Sequence, residues 1–334
     1  MSRYWCTLLL IGIGLQVTSE AEGVELRLKV GEAQQGKFSN EINEYSKPRE
    51  AYNAPEVAGE KGVAGAEATA QEDQQDGKIV NGTLADQGEF PYALSLRRAK
   101  TGAHSCGATL LNSRWVLTAA HCVRGSKPEQ LNVQYGSNQI DRNASQLAWI
   151  TAIHVHPGYE PQDKYIHDIA LLQLKVPILY SRSVQPVRLP KPLQQVEANS
   201  SAILAGWGLN ATGGALQLKL QKAQLQVFSD EECSRRHETQ LHRSQLCAGL
   251  PEGGKGQCSG DSGGPLLLPA LDTQIGIVSW SVKPCTRPPY PGVFTEVSAY
   301  VDWIRETVGC HDPHHSRLWI GDLVVARKPP PLHN

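Results

Sequence analysis

Gly260-Asp261-Ser262-Gly263-Gly264-Pro265 is the stretch that says most about the fold and chemistry of this chain of 334 residues, and two upstream stretches accompany it: Thr118-Ala119-Ala120-His121-Cys122 and Asp168-Ile169-Ala170-Leu171. A serine hydroxyl is a poor nucleophile at neutral pH and needs an adjacent base, which His121 supplies. An imidazole has to be held in one tautomer, and a buried Asp168 would do this. Ser262 stands among glycines because the backbone has to turn sharply there to aim amide hydrogens at a carbonyl oxygen. Together the three stretches predict a catalytic site.

The sequence pattern from Ile79 onward is typical of a β-protein. Short apolar runs such as Val116-Leu117 and residues 275–278 are broken by Gly, Pro, Asn and Ser. In residues 223–228 apolar side chains alternate with glutamines, which is the signature of a half-buried strand. Many short strands without intervening helices predict an antiparallel sandwich or barrel.

One helix is predicted near the end of this region. Five apolar residues fall on one helical face with a period of about 3.6: Val297, Tyr300, Val301, Ile304 and Val308. Ser298 stands where it can cap the N-terminus of this helix, and Gly309 is expected to end it.

In the order His, Asp, Ser within a β-rich chain, the three stretches resemble the chymotrypsin/trypsin family of serine proteases, and the resemblance covers Ile79 to about Val308. It implies an all-β fold of two antiparallel six-stranded β-barrels with a C-terminal α-helix, in a protease domain of residues 79–310. It also implies that His121 is the general base, that Asp168 orients it, and that Ser262 attacks a peptide bond to form an acyl-enzyme. No cofactor and no metal are expected.

The resemblance extends to the surroundings of the nucleophile. The backbone amides of Gly260 and Ser262 would form the oxyanion hole, and Ser279-Trp280-Ser281 would be the strand whose backbone pairs with an extended substrate. Three disulfides are implied: Cys106–Cys122, Cys233–Cys247 and Cys258–Cys285.

The specificity pocket departs from that of trypsins, in which an acidic residue lies six positions before the nucleophile. Gly256 occupies that position and Gln257 follows it, so nothing there neutralises a Lys or Arg side chain. Ser281 replaces a glycine on one wall, whereas Gly292 retains one on the other. The pocket is therefore predicted to accept medium or large uncharged residues such as Leu, Met, Phe or Tyr. Two alternatives stay open: Ser281 and Gln257 shrink it toward smaller residues, or Lys283 near the mouth admits an acidic one.

Asp76-Gly77-Lys78 followed by Ile79-Val80-Asn81-Gly82 matches the activation junction of the family. Cleavage after Lys78 would create an α-amino group on Ile79 that pairs with the buried carboxylate of Asp261 and orders the pocket. The chain is therefore expected to be a zymogen. Because the Gly256 floor disfavours a basic side chain, an upstream trypsin-like protease is expected to activate it.

The N-terminus has the features of a secretory signal peptide, residues 1–19. Arg3 supplies the positive charge, residues 5–15 are largely apolar, and Val17 and Ser19 satisfy the small-residue rule for cleavage. A membrane anchor is the alternative, but about 20 apolar residues are needed to cross a bilayer and this run is nearer half that length. The protein is therefore expected to be secreted, with no membrane partner.

Residues 20–78 are predicted to be an acidic, disordered propeptide, because they are rich in Glu, Gln, Ala and Gly and poor in large apolar residues. The first 78 residues contain 13 acidic and 8 basic side chains, whereas the remainder contains 20 and 24. Overall, 32 basic side chains stand against 33 acidic ones, which argues against a nucleic-acid partner.

The cysteine count is odd in the mature chain. Of the 8 cysteines, Cys6 would leave with the signal peptide, and an oxidising compartment makes the other seven disulfide candidates. The resemblance gives Cys310 no disulfide partner within the chain, so Cys310 is expected to be a free thiol or to form an intermolecular disulfide. Residues 311–334 are predicted to be a His-rich tail, whose apolar stretch at 318–325 either packs on the body or binds a partner.

Sequons at Asn143, Asn199 and Asn210 are predicted to carry surface glycans, whereas Asn81 lies in a segment that has to insert and is not. The family's calcium-binding carboxylates are missing near residues 136–146 apart from Asp141, so no structural calcium is expected.

The expected partners are protein or peptide substrates, the activating protease and protease inhibitors. A homologue that binds or regulates without cutting is the main alternative. Proteins of that kind usually lack the nucleophile or the base, and here both are present. A serine-directed fluorophosphonate probe separates the two interpretations.

Overall fold

The computed structural model describes residues 79–269 and 272–311, apart from the side chains of Cys310 and His311. The predicted signal peptide, the propeptide with Lys78, the state of Cys310 and the tail beyond residue 311 lie outside the described residues. These assignments stay predictions.

The N-terminal half of the described chain forms a closed antiparallel barrel. The first seven strands are β1 (Thr83–Leu84), β2 (Ala93–Arg98), β3 (Ala103–Asn112), β4 (Trp115–Thr118), β5 (Leu131–Gln134), β6 (Leu147–Val155) and β7 (Ala170–Leu174). All except β1 belong to this barrel, in the closed order β2-β3-β4-β7-β6-β5. Leucines from several strands, including Leu94, Leu110, Leu117 and Leu131, fill its interior with no exposed area.

The second barrel is built from β8 (Ser201–Gly206), β9 (Gln221–Phe228), β10 (Gln245–Gly249), β11 (Pro265–Leu268), β12 (Thr273–Trp280) and β13 (Gly292–Glu296). These strands pair in the order β9-β10-β13-β12-β11-β8, and the β8–β9 pairing closes the barrel. β1 adds to the edge of β9. The predicted pair of six-stranded antiparallel barrels is confirmed.

The alternation in residues 223–228 gives the predicted strand. In β9 the apolar positions Ala223, Leu225 and Val227 are buried, and Gln224 between them is exposed. The inward side chains pack into the core of the second barrel. Burial of one face therefore fixes the register of this strand.

The C-terminal helix is confirmed, but both of its predicted ends are wrong. Residues Val297–Tyr300 form a 3-10 turn, in which the Ser298 hydroxyl donates to Glu296 Oε1 instead of capping a helix. An α-helix follows over Val301–His311 and continues through Gly309, because a glycine costs a helix only about 1 kcal/mol and the buried Ile304 and Val308 anchor this one by packing.

Two short α-helices precede that one in the described chain. In chain order the helices are α1 (Ala120–Val123), α2 (Asp230–Arg236) and α3 (Val301–His311). The Ser229 hydroxyl caps α2 by accepting from the backbone N–H of Glu232. Over residues 79–269 and 272–311, no helix has both the length and the apolar character that a membrane span requires.

The three disulfides that the resemblance implied are present. Cys106–Cys122 joins β3 to α1, and Cys233–Cys247 joins α2 to β10. Cys258–Cys285 ties the segment before Ser262 to the segment after β12. Each cross-link typically contributes about 2–4 kcal/mol to stability.

Arg97 is a buried residue beside the loop of residues 136–146, in which no structural calcium is predicted. The guanidinium is 1% exposed, and it donates to Gly102 O at 3.1 Å, to Gln134 Oε1 at 3.2 Å and to Arg142 O at 2.8 Å. A buried charge is stabilised only when such partners satisfy it. Arg97 therefore links β2 to this loop.

Replacing Arg97 by Met should lower the free energy of unfolding by about 2 kcal/mol or more, because buried acceptors lose their donors. For a domain of this size that is a fall in Tm of about 4–8 °C. Arg98→Met is the matched control, because the neighbouring Arg98 is exposed and donates only to Ser126 Oγ. Thermal denaturation measures both, and adding a calcium chelator should leave each Tm unchanged. Equal Tm values for the two variants would contradict this role of Arg97.

Candidate active site

His121 lies on α1, directly after the end of β4. Ala120, Cys122 and Val123 of this helix are buried, and Cys122 is fixed to β3 by its disulfide. The side chain of His121 is therefore held from both sides by buried neighbours, while 23% of it stays exposed.

The Asp168 carboxylate binds His121 at two points. Oδ2 lies 2.7 Å from His121 Nδ1, and Oδ1 accepts from the backbone N–H of His121 at 2.9 Å. Asp168 itself has no exposed area. The structure therefore brings two of the three predicted catalytic side chains together, with the carboxylate orienting the imidazole.

Two further hydroxyl groups hold Asp168. Ser279 Oγ donates to Oδ2 at 2.6 Å, and Thr295 Oγ1 donates to the backbone carbonyl of Asp168 at 2.8 Å. A buried carboxylate needs such donors to stay ionised. Sequence analysis assigned Ser279 only to substrate binding and missed Thr295, which has no local pattern around it that would mark it.

Two stacked histidines, His156 and His167, lie next to Asp168 and both have lowered pKa values. His167 Nδ1 lies 2.8 Å from the Tyr300 hydroxyl, and the His167 ring stacks on His156 with centroids 4.7 Å apart. Burial, followed by the proximity of His167, lowers the pKa of His156 to about 4. Burial also lowers the pKa of His167.

Tyr165 packs against the ring of His121. The two rings meet edge to face with centroids 5.9 Å apart, and Tyr165 is 37% exposed. It lies three residues before Asp168 in a loop where Lys164, Tyr165 and His167 all have positive φ. Sequence analysis did not identify Tyr165, because an aromatic residue in a loop carries no signal of its own.

Ser262 is positioned through β3. Its carbonyl accepts from the backbone N–H of Gly107 at 2.8 Å, and the Gly107 carbonyl accepts from Thr118 Oγ1 at 2.9 Å. A Cβ on Gly263 would collide with Thr118. The nucleophile segment therefore packs closely against the strand that leads to His121. Among the hydrogen bonds of the described residues, none joins the Ser262 hydroxyl to His121; in unliganded sites such bonds are often long and tighten when substrate binds.

The backbone turn around Ser262 leaves two amides available. Within this described segment, the N–H groups of Asp261, Gly263 and Gly264 all donate to backbone carbonyls, whereas those of Gly260 and Ser262 donate to none. Gly260 adopts φ +97°, which favours glycine, and a Cβ there would also crowd Leu216. The two amides assigned to the oxyanion hole are thus the ones that a substrate oxygen could use.

Asp261 lies beneath this turn, without exposed area. Its carboxylate accepts from the backbone N–H of Gly208 at 2.8 Å and of Cys258 at 2.9 Å. Burial raises its pKa to about 7, although both amides and the charge of Lys283 oppose that rise. A Cβ on Gly208 would collide with the carboxylate, so this glycine makes room for it.

The segment after Lys78 lies against the specificity pocket. Ile79 is fully buried, the Val80 carbonyl accepts from Gly256 N–H at 3.4 Å, and Asn81 Nδ2 donates to Gly254 O at 2.6 Å. The start of the predicted mature chain therefore packs along residues 254–256.

His104 connects this region to the first barrel and was not predicted from the sequence. Its Nε2 lies 2.9 Å from the Gly260 carbonyl, and its Nδ1 lies 2.8 Å from Ser95 Oγ. Burial lowers its pKa, which favours the neutral ring. His104 thereby fixes the peptide on one side of the turn that carries Ser262.

Four predicted pocket residues meet in one place. Gly256, Gln257, Ser281 and Gly292 all line a void of about 10 Å³ between the segment before Ser262 and the ends of β12 and β13. The space beside Gly292 is occupied by the side chain of Gln257, which is 3% exposed. Trp280 lies at the end of β12 and packs its ring against His237.

Lys283, which was considered as a residue near the pocket mouth, is not among the residues that line this void, whereas Lys255 is. The Nζ of Lys283 donates to Ser259 Oγ at 3.3 Å and lies 3.0 Å from Cys285 Sγ. Partial burial lowers the pKa of Lys283, which the charge of Asp261 opposes.

The three predicted glycosylation sites differ in exposure. Asn143 and Asn199 are exposed, whereas Asn210 is half-buried and its Oδ1 accepts from Ala215 N–H at 3.1 Å. Glycosylation at all three stays a prediction.

Two clusters in the described chain have the composition of metal sites. They are Cys106–His121–Cys122 and Cys233–His237–Cys247. In each, the two sulfurs are already joined in a disulfide, which leaves one histidine as a ligand. Neither cluster therefore offers the several ligands that a bound zinc requires.

Comparison with known proteins gives the family. The sequence model of the trypsin family matches residues 79–304. The chain is 40% identical over 239 residues to trypsin-1 of Astacus astacus, a match that covers 68% of this chain and 98% of that protein. It is also 39% identical over 238 residues to transmembrane protease serine 9 of Rattus norvegicus, where the match covers 69% of this chain but 22% of the rat protein.

The chain therefore belongs to the trypsin family. Its two closed barrels fit the chymotrypsin-like fold, and the match to the trypsin family and to trypsin-1 shows a serine endopeptidase.

Proposed function

We propose that this protein is a secreted serine endopeptidase, made as a zymogen, that uses Ser262, His121 and Asp168. The observation that carries the proposal is the 2.7 Å contact between His121 Nδ1 and the buried Asp168 Oδ2. A proton on Nδ1 leaves Nε2 as the unprotonated nitrogen of the neutral ring, which is the state that a general base needs.

The reaction proceeds in two halves. His121 Nε2 takes the proton of the Ser262 hydroxyl while Oγ attacks the carbonyl carbon of the substrate, and the amides of Gly260 and Ser262 bind the resulting oxyanion. The intermediate collapses when His121 gives its proton to the leaving amine, and an acyl-enzyme remains. Water then attacks the acyl group with His121 again as base, which releases the new carboxyl end and restores Ser262. Asp168 stays ionised and stabilises the imidazolium throughout.

Cleavage after Lys78 is the proposed activation step. It would free an ammonium group on Ile79, which already lies buried beside the pocket segment. Asp261 is the buried carboxylate that this ammonium would pair with, and over residues 79–269 and 272–311 no ion pair of Asp261 is found. The new pair would hold the turn between Gly260 and Ser262 in its catalytic form.

The pocket supports a preference for uncharged residues before the cut. Gly256 brings no side chain to its floor, and an ammonium or guanidinium placed there would be buried without a carboxylate. The same argument predicts that the zymogen does not cleave itself after Lys78. An upstream trypsin-like protease is then required for activation. We also propose that the protein is secreted, carries surface glycans, is controlled by protease inhibitors and has a disulfide partner at Cys310.

A fluorophosphonate probe tests the central activity. After activation by a trace of trypsin and removal of the trypsin, the wild-type chain should be labelled at Ser262, because the probe reacts only with an activated serine. Ser262→Ala should show no label, and His121→Ala should lower the labelling rate by at least about 100-fold. Mass spectrometry locates the adduct. A folded, cleaved protein that never labels would instead be a binding or regulatory homologue.

Cleavage should also change stability in a pH-dependent way. With a pKa of about 7, well above its ordinary value, Asp261 favours the folded single chain at low pH, and this contribution is lost as pH rises through 7. After cleavage, the Ile79 ammonium would pair with the ionised Asp261 and would offset this loss of stability at higher pH. In a Ser262→Ala background, the gain in Tm on cleavage should therefore be larger at pH 7.5 than at pH 5, by several degrees.

Asp261→Asn in the same background is the control, because it removes the titrating group and should abolish the difference between the two pH values. A gain in Tm that is independent of pH in both chains would contradict the pairing.

The wild-type precursor incubated without trypsin should form no new N-terminus at Ile79, as protein sequencing would show. Its appearance would show self-activation.

A further inference from the structure

The side chain of Gln257 bridges two walls of the specificity pocket. Its Nε2 donates to the Trp280 carbonyl at 2.7 Å and makes a longer contact of 3.4 Å with the Val293 carbonyl. Trp280 ends β12 and Val293 lies at the start of β13. The two carbonyls determine which end of the Gln257 carboxamide faces them, because only its NH2 group can donate to two carbonyl oxygens.

Gly292 makes room for Gln257 and not for a substrate. A Cβ at Gly292 would lie 2.8 Å from Gln257 Cδ and 2.9 Å from its Oε1. The space beside this glycine is thus already filled by the carboxamide. A residue with any side chain at position 292 would displace Gln257 from its hydrogen bonds.

The void beside Gln257 is small. Gly256, Gln257, Ser281 and Gly292 line it together with residues of the neighbouring loops, and it measures about 10 Å³, which is room for about one water molecule. A cavity that accommodates a benzene ring is about 150 Å³. A Phe, Tyr or Leu side chain is larger than this void and would require Gln257 to leave its bond to Trp280.

Gln257 also leaves one group unused. Its Oε1 is buried and has no hydrogen-bond partner among the described residues. Buried acceptors of this kind are rare and are usually satisfied by water or a ligand. A short side chain that ends in a hydroxyl could donate to it.

We propose that Gln257 is a specificity-determining residue that restricts the side chain before the scissile bond to small uncharged residues, above all Ala and Ser. This proposal rests on the proposed peptidase activity of the same site. Of the substrate side chains that the sequence left open, the proposal favours the small ones. The long side chain of Gln257, and not the missing charge at Gly256 alone, then sets the substrate class.

The test uses the activated full chain and a series of fluorogenic peptides that differ only in the residue before the cut: Ala, Ser, Leu, Phe or Lys. The wild type should hydrolyse the Ala and Ser peptides with a kcat/KM at least about tenfold above that for Leu and Phe. In Gln257→Ala, kcat/KM for Phe should rise at least about tenfold while that for Ala changes less than threefold. Gln257→Ser provides a second opened pocket in case the first variant folds poorly.

Gln224→Ala is the matched control, because Gln224 is an exposed glutamine on β9 that donates to Ser201 Oγ, far along the chain from the pocket segment. Its profile should equal that of the wild type. Active sites are counted with the fluorophosphonate probe in every sample. Labelled wild type that prefers Phe or Leu, or opened variants with an unchanged profile, would overturn this inference alone. Absence of labelling would overturn the proposed activity and the inference with it.

Discussion

The buried charge of Asp168 is the constraint on which the rest of the site depends. A carboxylate with no exposed area is stable only if donors surround it, and here they come from both barrels. His121 approaches from the first barrel, whereas Ser279 and Thr295 lie on β12 and β13 of the second. The carboxylate thus links the two halves of the described chain at the point where the chemistry is proposed.

The same logic explains the turn that carries Ser262. Asp261 is buried beneath it and accepts the backbone amides of Gly208 and Cys258, so that the carboxylate ties the segment before Ser262 to the segment that follows β8. His104 holds the neighbouring Gly260 carbonyl from the first barrel. A site that relies on two buried carboxylates is sensitive to any charge that enters or leaves, which makes the proposed activation by a new ammonium group an effective switch.

The sequence predicts the parts of this structure that local chemistry determines. The strand β9 follows from alternation, the C-terminal helix from its apolar face, and His121 and Asp168 from the stretches around them. The ends of the helix were wrong because packing of Ile304 and Val308 outweighs the local preferences of Ser298 and Gly309. Thr295, His104 and Tyr165 could not be predicted, since only the fold brings them to the site. Gln257 was visible in the sequence, but its side-chain direction depends on carbonyls of Trp280 and Val293 that lie 23 and 36 residues away.

Replacing Asp168 by Asn keeps the size of the buried side chain and removes its charge, and so tests whether this carboxylate is needed for catalysis. Asp163→Asn is the control, since Asp163 is a half-exposed carboxylate that pairs with His242 instead. We expect kcat of the activated Asp168→Asn enzyme to fall about 10⁴-fold, the loss typical of this change in a Ser-His-Asp protease, while thermal denaturation shows that the protein remains folded. Asp163→Asn should keep wild-type activity. A folded Asp168→Asn enzyme that retains a tenth or more of the wild-type kcat would contradict the account.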